Sequence, residues 1–206
     1  LRSGRVNLAW LAADDAERAR REVEDAKNEW PSQHVHLQHY YFLLARTQIA
    51  LYTGEGDPLP EIAAAWTPLK RAFIFRIQTV RIEALHLRAR AALATRAAGS
   101  ALLRSAEQDA AAIEGEALPW ANALASLVRA ALAARSGNRA RALTLLSSAA
   151  TKLDESDMKA WAAVARVRHA QLAEDADLLA SALEALRRCG VVAPEQFVQL
   201  HAPGFG

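Results

Sequence analysis

The stretch GNRARALTLLSSA, residues 137–149, indicates how the chain folds. Its glycine can adopt the left-handed backbone that ends a helix, and the side chain of Asn138 can cap the helix that follows. Apolar residues then recur at steps of three, four and three, which place them on one face of a helix. They are Leu143, Leu146, Ala150 and Leu153. The stretch therefore predicts a glycine turn followed by an amphipathic helix.

The same apolar row occurs four more times along the chain. The other rows are Ala16, Ala19, Val23 and Ala26; Ile62, Ala65, Leu69 and Ala72; Leu103, Ala106, Ala110 and Ile113; and Leu179, Ala182, Leu186 and Cys189. The five rows begin 46, 41, 40 and 36 residues apart, and a break precedes each of them. Repeats of this length are typical of stacked helical units.

Longer helical segments are predicted between the rows, at approximately 33–53, 73–98, 119–136 and 157–174. A short and a longer helix would form a hairpin, and a hairpin must bury its apolar face on its neighbours. No segment has the alternating pattern that predicts a strand. We therefore expect an all-α protein, a right-handed α-solenoid of about five helical hairpins that forms a single domain over residues 1–206.

The composition favours a globular protein. The chain has 206 residues, of which 52% are hydrophobic and 23% charged, and its 25 basic and 23 acidic residues give a formal charge of +2. Such an even balance does not indicate nucleic acid as a partner. The longest stretch without charge, residues 30–45, contains polar side chains that a membrane-spanning helix would not carry.

The single cysteine, Cys189, excludes an internal disulfide and favours a reducing compartment, so we expect the protein in the cytoplasm. The chain begins without Met or an apolar signal segment, and a helical pattern starts at once. This beginning is expected of a piece of a longer polypeptide.

Four segments carry a resemblance to a known family. They are LYTGEGDP (51–58), FRIQTVRIEALHLRARAAL (75–93), SDMKAWAAVARVRHAQL (156–172) and VVAPEQFVQLHAPGF (191–205). Together they resemble the tetratricopeptide-like C-terminal region of large bacterial signalling proteins, namely Hanks-type serine/threonine kinases with an ATPase segment. The resemblance implies that the hairpins are tetratricopeptide-like, that this region is a C-terminal end, and that the kinase and nucleotide-binding parts lie upstream.

The chain departs from the regular tetratricopeptide pattern in two respects. Its unit is nearer 40 than 34 residues, and the sequence AEDAD stands where a glycine turn is expected after Leu172. The chain also has no glycine-rich phosphate loop and no His-Arg-Asp catalytic segment. We therefore do not expect the chain itself to be the kinase.

Candidate catalytic and metal sites are weak. His34, His36 and His39 have poor spacing for a metal, because only the last two can share a helix face, and a solvated helix start is the better interpretation. No serine lies in a nucleophile elbow, and Cys189 has no evident activating base. We therefore expect no cofactor, no metal and no catalysis.

Arginine is the stronger functional signal. Residues 70–104 contain eight basic residues and one acidic residue, Glu83. On one helix, Arg81 and Arg88 would lie one above the other. Arg76, Glu83 and Arg90 would form a second row on the same helix. Guanidinium groups pair with carboxylates or phosphates through two hydrogen bonds. The candidate partner-binding residues on the longer helices are Arg46, Arg81, Arg88, Arg129, Arg168 and Tyr40.

Two interpretations of these arginines stay open: a groove that receives an acidic or phosphorylated protein segment, or a solvated surface in a chain with 21 Arg and four Lys. Most of the five tryptophans fit core packing, with Trp30 and Trp66 as the expected exceptions. We expect a non-catalytic sensory or scaffold domain that binds a protein or another copy of itself and biases an upstream kinase or ATPase. The alternatives are pure self-association, or an effector- or nucleic-acid-binding repeat domain of a transcriptional regulator.

Overall fold

The structure, a computed structural model, describes residues 4–28, 34–95 and 98–205. These ranges contain two short 3-10 helices, Gly4–Asn7 and Ile74–Arg76, eleven α-helices and no strand. The α-helices are α1 (Leu8–Ala12), α2 (Ala16–Asn28), α3 (Leu37–Thr53), α4 (Leu59–Arg71), α5 (Gln78–Ala94), α6 (Ser100–Glu114), α7 (Pro119–Arg135), α8 (Arg139–Glu155), α9 (Lys159–Ala173), α10 (Ala176–Arg188) and α11 (Pro194–His201). The predicted all-α class is confirmed for the described residues.

The five apolar rows lie on the buried faces of the shorter helices α2, α4, α6, α8 and α10. Each row has at least two buried residues, among them Val23, Ile62, Ile113, Leu153 and Leu186. The row on α10 ends earlier than its spacing predicts. That helix stops at Arg188, so Cys189 follows its last turn and is exposed.

The longer helices α3, α7 and α9 lie close to their predicted positions, whereas the segment predicted at 73–98 is not one continuous helix. Phe73 has a positive φ of 59°, and Ile77 has an extended backbone with a ψ of 111°. These two residues separate α4, the 3-10 helix Ile74–Arg76 and α5. The consequence is a sharp turn in the part of the chain with the most basic residues.

The glycines that precede α8 and α6 have different backbone conformations. Gly137 has a φ of 77°, and the Asn138 side chain accepts a hydrogen bond of 3.1 Å from the backbone N–H of Arg141, as predicted. Gly99, in contrast, has a φ of −68° and is itself the N-cap of α6, so the turn before α6 contains no left-handed glycine. After α9, Glu174 takes the left-handed position with a φ of 59°.

From α5 to α10, each helix packs against the next one in the chain, and α5 also contacts α3 and α7. The largest apolar cluster joins α5, α6, α7, α8 and α9. This sequential packing is compatible with a helical repeat. None of the described helices is long and apolar enough to cross a lipid bilayer.

The last helix lies against the first ones. Helix α11 packs on α3, α9 and α10, and its Leu200 is buried in a cluster with residues of α1, α2 and α3. The backbone N–H of Val192 donates a hydrogen bond of 2.8 Å to the carbonyl of Ala12. The two ends of the described chain are therefore in direct contact.

Candidate partner-binding groove

A groove with a volume of about 520 Å³ lies where α4, α5 and α6 meet the turn after α4. We call it the aromatic–arginine groove. Its lining residues are Trp66, Lys70, Phe73, Phe75, Arg76, Arg81, Leu85, Arg88, Ala112 and Glu116. Three aromatic rings and four basic side chains thus surround one depression.

The turn that presents Phe73 has an unusual backbone. Helix α4 ends at Arg71, and the left-handed position that follows a helix is usually a glycine. Here Phe73 occupies it, although a side chain in this conformation costs roughly 1–2 kcal/mol. The Phe73 side chain is also 61% exposed, so core packing does not explain its presence. Strained backbone is enriched at functional sites, which makes Phe73 the first candidate contact residue.

Arg81 holds this turn in place. Its Nη1 donates a hydrogen bond of 2.7 Å to the carbonyl of Phe75, and its Nη2 donates one of 2.6 Å to the carboxylate of Glu116. The hydrogen bond from Arg81 lowers the pKa of the Glu116 carboxyl, so this carboxylate is charged at neutral pH. Arg81 on α5 thereby connects the turn before α5 with the turn that follows α6.

Arg88 and Trp66 line the groove and are in contact with each other. Its guanidinium carbon lies 3.7 Å from the centroid of the Trp66 ring, and its Nε and Nη2 donate to the two oxygens of Asp109 at 2.9 and 2.5 Å. The Trp66 ring packs on Phe75 with a centroid distance of 4.7 Å. Burial raises the pKa of the Asp109 carboxyl, although Arg88 lowers it in part. Arg88 is therefore fixed by an ion pair with a buried carboxylate.

Lys70 and Arg76 differ from these two arginines. Neither makes an ion pair with a carboxylate of the described residues, and Arg76 lies over the Phe73 ring at 4.3 Å. Arg76 was expected in a row with Glu83 and Arg90 on one helix, but it precedes α5 and faces the groove instead. The groove thus carries cations that are available to an acidic ligand.

The structure does not bring all the predicted site residues together. Arg81 and Arg88 share the aromatic–arginine groove, whereas Arg46 and Arg129 line two other depressions. Arg46 pairs with Glu24 at 2.8 Å and Glu61 at 3.1 Å, and Arg129 pairs with Glu107 at 2.9 Å and with Glu114. These pairs join the longer helices to the shorter ones.

The two remaining predicted residues lie elsewhere. Arg168 donates hydrogen bonds to the carbonyl of Ala202 at 2.7 Å and to Gln199 at 3.0 Å, so it holds the C-terminal segment. Tyr40 is fully buried and donates a hydrogen bond of 2.9 Å to Glu83. The role of all six residues in partner binding stays a prediction.

The weaker candidates also have defined places. The backbone N–H of His36 donates a hydrogen bond of 3.0 Å to Nδ1 of His39 at the start of α3. Among the described residues, no group of three or more His, Cys, Asp or Glu could hold a metal ion. Of the two tryptophans that were expected not to be core residues, Trp66 lies in the aromatic–arginine groove and Trp30 lies outside the described residues.

Four features of the groove were not predicted from the sequence: Phe73, Phe75, Lys70 and the placement of Arg76. A signal was available, because the run KRAFIFR at 70–76 combines three basic and two aromatic residues at the end of a helix that contains Pro68. Comparisons of the chain with protein families, curated proteins and solved structures find no match. The resemblance to the C-terminal region of bacterial kinases therefore stays a prediction.

Proposed function

We propose that this chain is a non-catalytic helical-repeat domain that binds an acidic protein segment in the aromatic–arginine groove. The observation that carries the proposal is Phe73, an exposed aromatic side chain on strained backbone at the edge of a basic groove. Aromatic residues and Arg dominate the binding energy of protein interfaces, and a bulky apolar residue has no stabilising reason to be exposed at this position.

The composition of the groove defines the ligand. Four basic side chains and one acidic side chain line it, so a segment with Asp, Glu or a phosphorylated residue complements its charge. The rings of Trp66, Phe73 and Phe75 offer apolar surface for one large apolar side chain of that segment. Because Arg81 and Glu116 already hold the turn, little ordering is required when the ligand binds.

Two wider expectations belong to the same proposal. We infer a right-handed α-solenoid of about five tetratricopeptide-like hairpins, and the sequential packing of α5 to α10 supports its character as a helical repeat. By the resemblance given above, a partner bound in the groove would bias an upstream kinase or ATPase of a bacterial signalling protein.

The test is a selection of peptides from a random display library on the immobilised protein. We expect the recovered peptides to combine acidic residues with a large apolar residue. Their affinities are then measured by fluorescence polarisation. We expect Phe73→Ala to weaken binding by about 30-fold or more, the loss expected for a hot-spot residue. Because Phe73 is mostly exposed, the same change alters the free energy of unfolding by no more than about 0.5 kcal/mol.

Matched variants separate the groove from the rest of the surface. Lys70→Gln and Arg76→Gln should weaken binding several-fold at low salt, whereas Arg21→Gln, an exposed basic residue outside the groove, should leave it unchanged. Val192→Ala, which removes another exposed apolar side chain, is the control for Phe73. Peptides without acidic residues, or equal binding by the Phe73 and Val192 variants, would refute the proposal.

A further inference from the structure

A second cavity lies on the other side of α5, between the N-terminal segment and the longer helices. It has a volume of about 340 Å³, at the small end of the range for ligand pockets. Trp120 and Trp161 line it together with Met158, and Glu83 and Arg90 contribute charged groups. We call it the inner cavity. Its apolar walls and few polar groups are typical of small-molecule sites.

Arg90 has far fewer hydrogen bonds than its burial requires. The residue is 3% exposed, and a guanidinium group has five N–H donors. Within the described residues its sole acceptor is the carbonyl of Leu200, 2.9 Å from Nη1, and its Nε is buried without a partner. Burial lowers the pKa of Arg90 to about 10, so the group remains charged at neutral pH.

The carboxylate that lines the inner cavity, Glu83, accepts hydrogen bonds from two other residues. One oxygen of Glu83 accepts a hydrogen bond of 2.9 Å from the Tyr40 hydroxyl, and the other accepts one of 3.1 Å from Nε of Arg5. No carboxylate of the described residues forms an ion pair with Arg90. A buried cation without a direct partner is costly, and an anion in the adjoining cavity would supply that partner.

We propose that the inner cavity binds a small organic carboxylate, with the carboxylate group on Arg90 and a flat apolar body against Trp120 and Trp161. The lining contains two basic side chains and one acidic side chain, which matches a single negative charge. The centre of the Trp161 ring lies 5.8 Å from the guanidinium carbon of Arg90, so one ligand can contact both. Arg pairs with a carboxylate through two parallel hydrogen bonds, for which this guanidinium has free N–H groups.

The test uses benzoate, phenylacetate and 3-phenylpropionate as probes, each titrated calorimetrically into the whole chain. We expect at least one of them to bind with a stoichiometry of one and to raise the Tm. Its uncharged amide, for example phenylacetamide, should bind at least about tenfold more weakly, the effect of losing one charge-assisted hydrogen bond. Failure of all three carboxylates to bind, or equal binding of acid and amide, would overturn the proposal.

Two variants locate the site. Arg90→Gln should weaken carboxylate binding at least about tenfold. Because Arg90 lies in the core, a second variant, Thr79→Trp, tests the site without a change in the core. Thr79 is exposed and lines the cavity, so a large ring at this position blocks the space. Unaltered binding in the Thr79 variant would also overturn the proposal. Phe73→Ala should bind the carboxylate normally, which separates this site from the aromatic–arginine groove.

Discussion

Two histidines are completely enclosed next to the inner cavity. His86 and His201 are 2% and 1% exposed, and their rings lie 5.4 and 4.3 Å from the Trp161 ring. The Nδ1 of His201 lies 2.9 Å from the carbonyl of Phe197, while Nε2 of His86 has no partner among the described residues. Burial lowers the pKa of both imidazoles, of His201 to about 3, and the nearby charge of Arg90 lowers them further.

These lowered pKa values predict an acid-sensitive fold. Above the ordinary histidine pKa of about 6.5 both states are neutral, and the stability is fully present. As the pH falls towards 3, these two imidazoles become protonated in the unfolded chain while they stay neutral in the folded chain. The free energy of unfolding therefore decreases. At pH 5 the loss from His201 is about 2 kcal/mol, and His86 changes the free energy of unfolding in the same direction. Urea unfolding at pH 7.5 and pH 5 measures it.

A pair of variants assigns the effect. His86→Leu should stabilise the protein at pH 5 relative to the parent and reduce the loss, because leucine fills the same apolar space without a proton to bind. Val192→Ala, an exposed change at a residue that binds no proton, should leave the pH dependence as it is. An unchanged loss in the His86 variant would show that other groups cause it.

At the scale of one element, α5 joins both sites because its two sides carry different chemistry. Arg81 and Arg88 lie seven residues apart and face the aromatic–arginine groove, whereas Glu83 and Arg90, also seven apart, face the inner cavity. Helical periodicity alone predicts these two pairs. The turn before α5 was not predictable in this way, because a left-handed Phe73 carries no glycine signal. For this reason Arg76 was assigned to the wrong side.

The ion pair between α5 and α6 should contribute strongly to stability. Asp109 has only 3% of its side chain exposed, so Arg88→Met leaves a buried carboxylate without its cation, and we expect a loss of about 3 kcal/mol. The double variant Arg88→Met/Asp109→Leu should recover most of this loss, since it removes both charges. Chemical denaturation measures both differences.

Arg46 provides the matched control for this ion pair. It also joins a longer helix to shorter ones, but Glu24 and Glu61 are 51% and 40% exposed. Arg46→Met should therefore cost no more than about 1 kcal/mol, as for surface pairs. Equal losses for the Arg46 and Arg88 variants would mean that burial of Asp109 does not determine the effect.

At the scale of the whole molecule, the contact between α11 and α3 changes how the repeat is stabilised. In an open array, each unit contacts its neighbours alone and the stability is a sum of local terms. Here Leu200 packs with α1, α2 and α3, and Arg90 donates to its carbonyl across 110 residues of sequence. The apolar rows predicted the shorter helices because periodicity is local. The contact between the ends was not predictable, because it joins residues that no repeat pattern relates.

This contact predicts that a change at the end of the chain affects its beginning. Leu200 is fully buried, so Leu200→Ala should lower the free energy of unfolding by about 2–5 kcal/mol. Hydrogen exchange should then become faster in α2 and α3 as well as in α11, because the same cluster covers them. Val192→Ala, an exposed change beside α11, should alter neither quantity. If faster exchange stayed within α10 and α11, the first helices would be stable without the last one, and the molecule would behave as an open array.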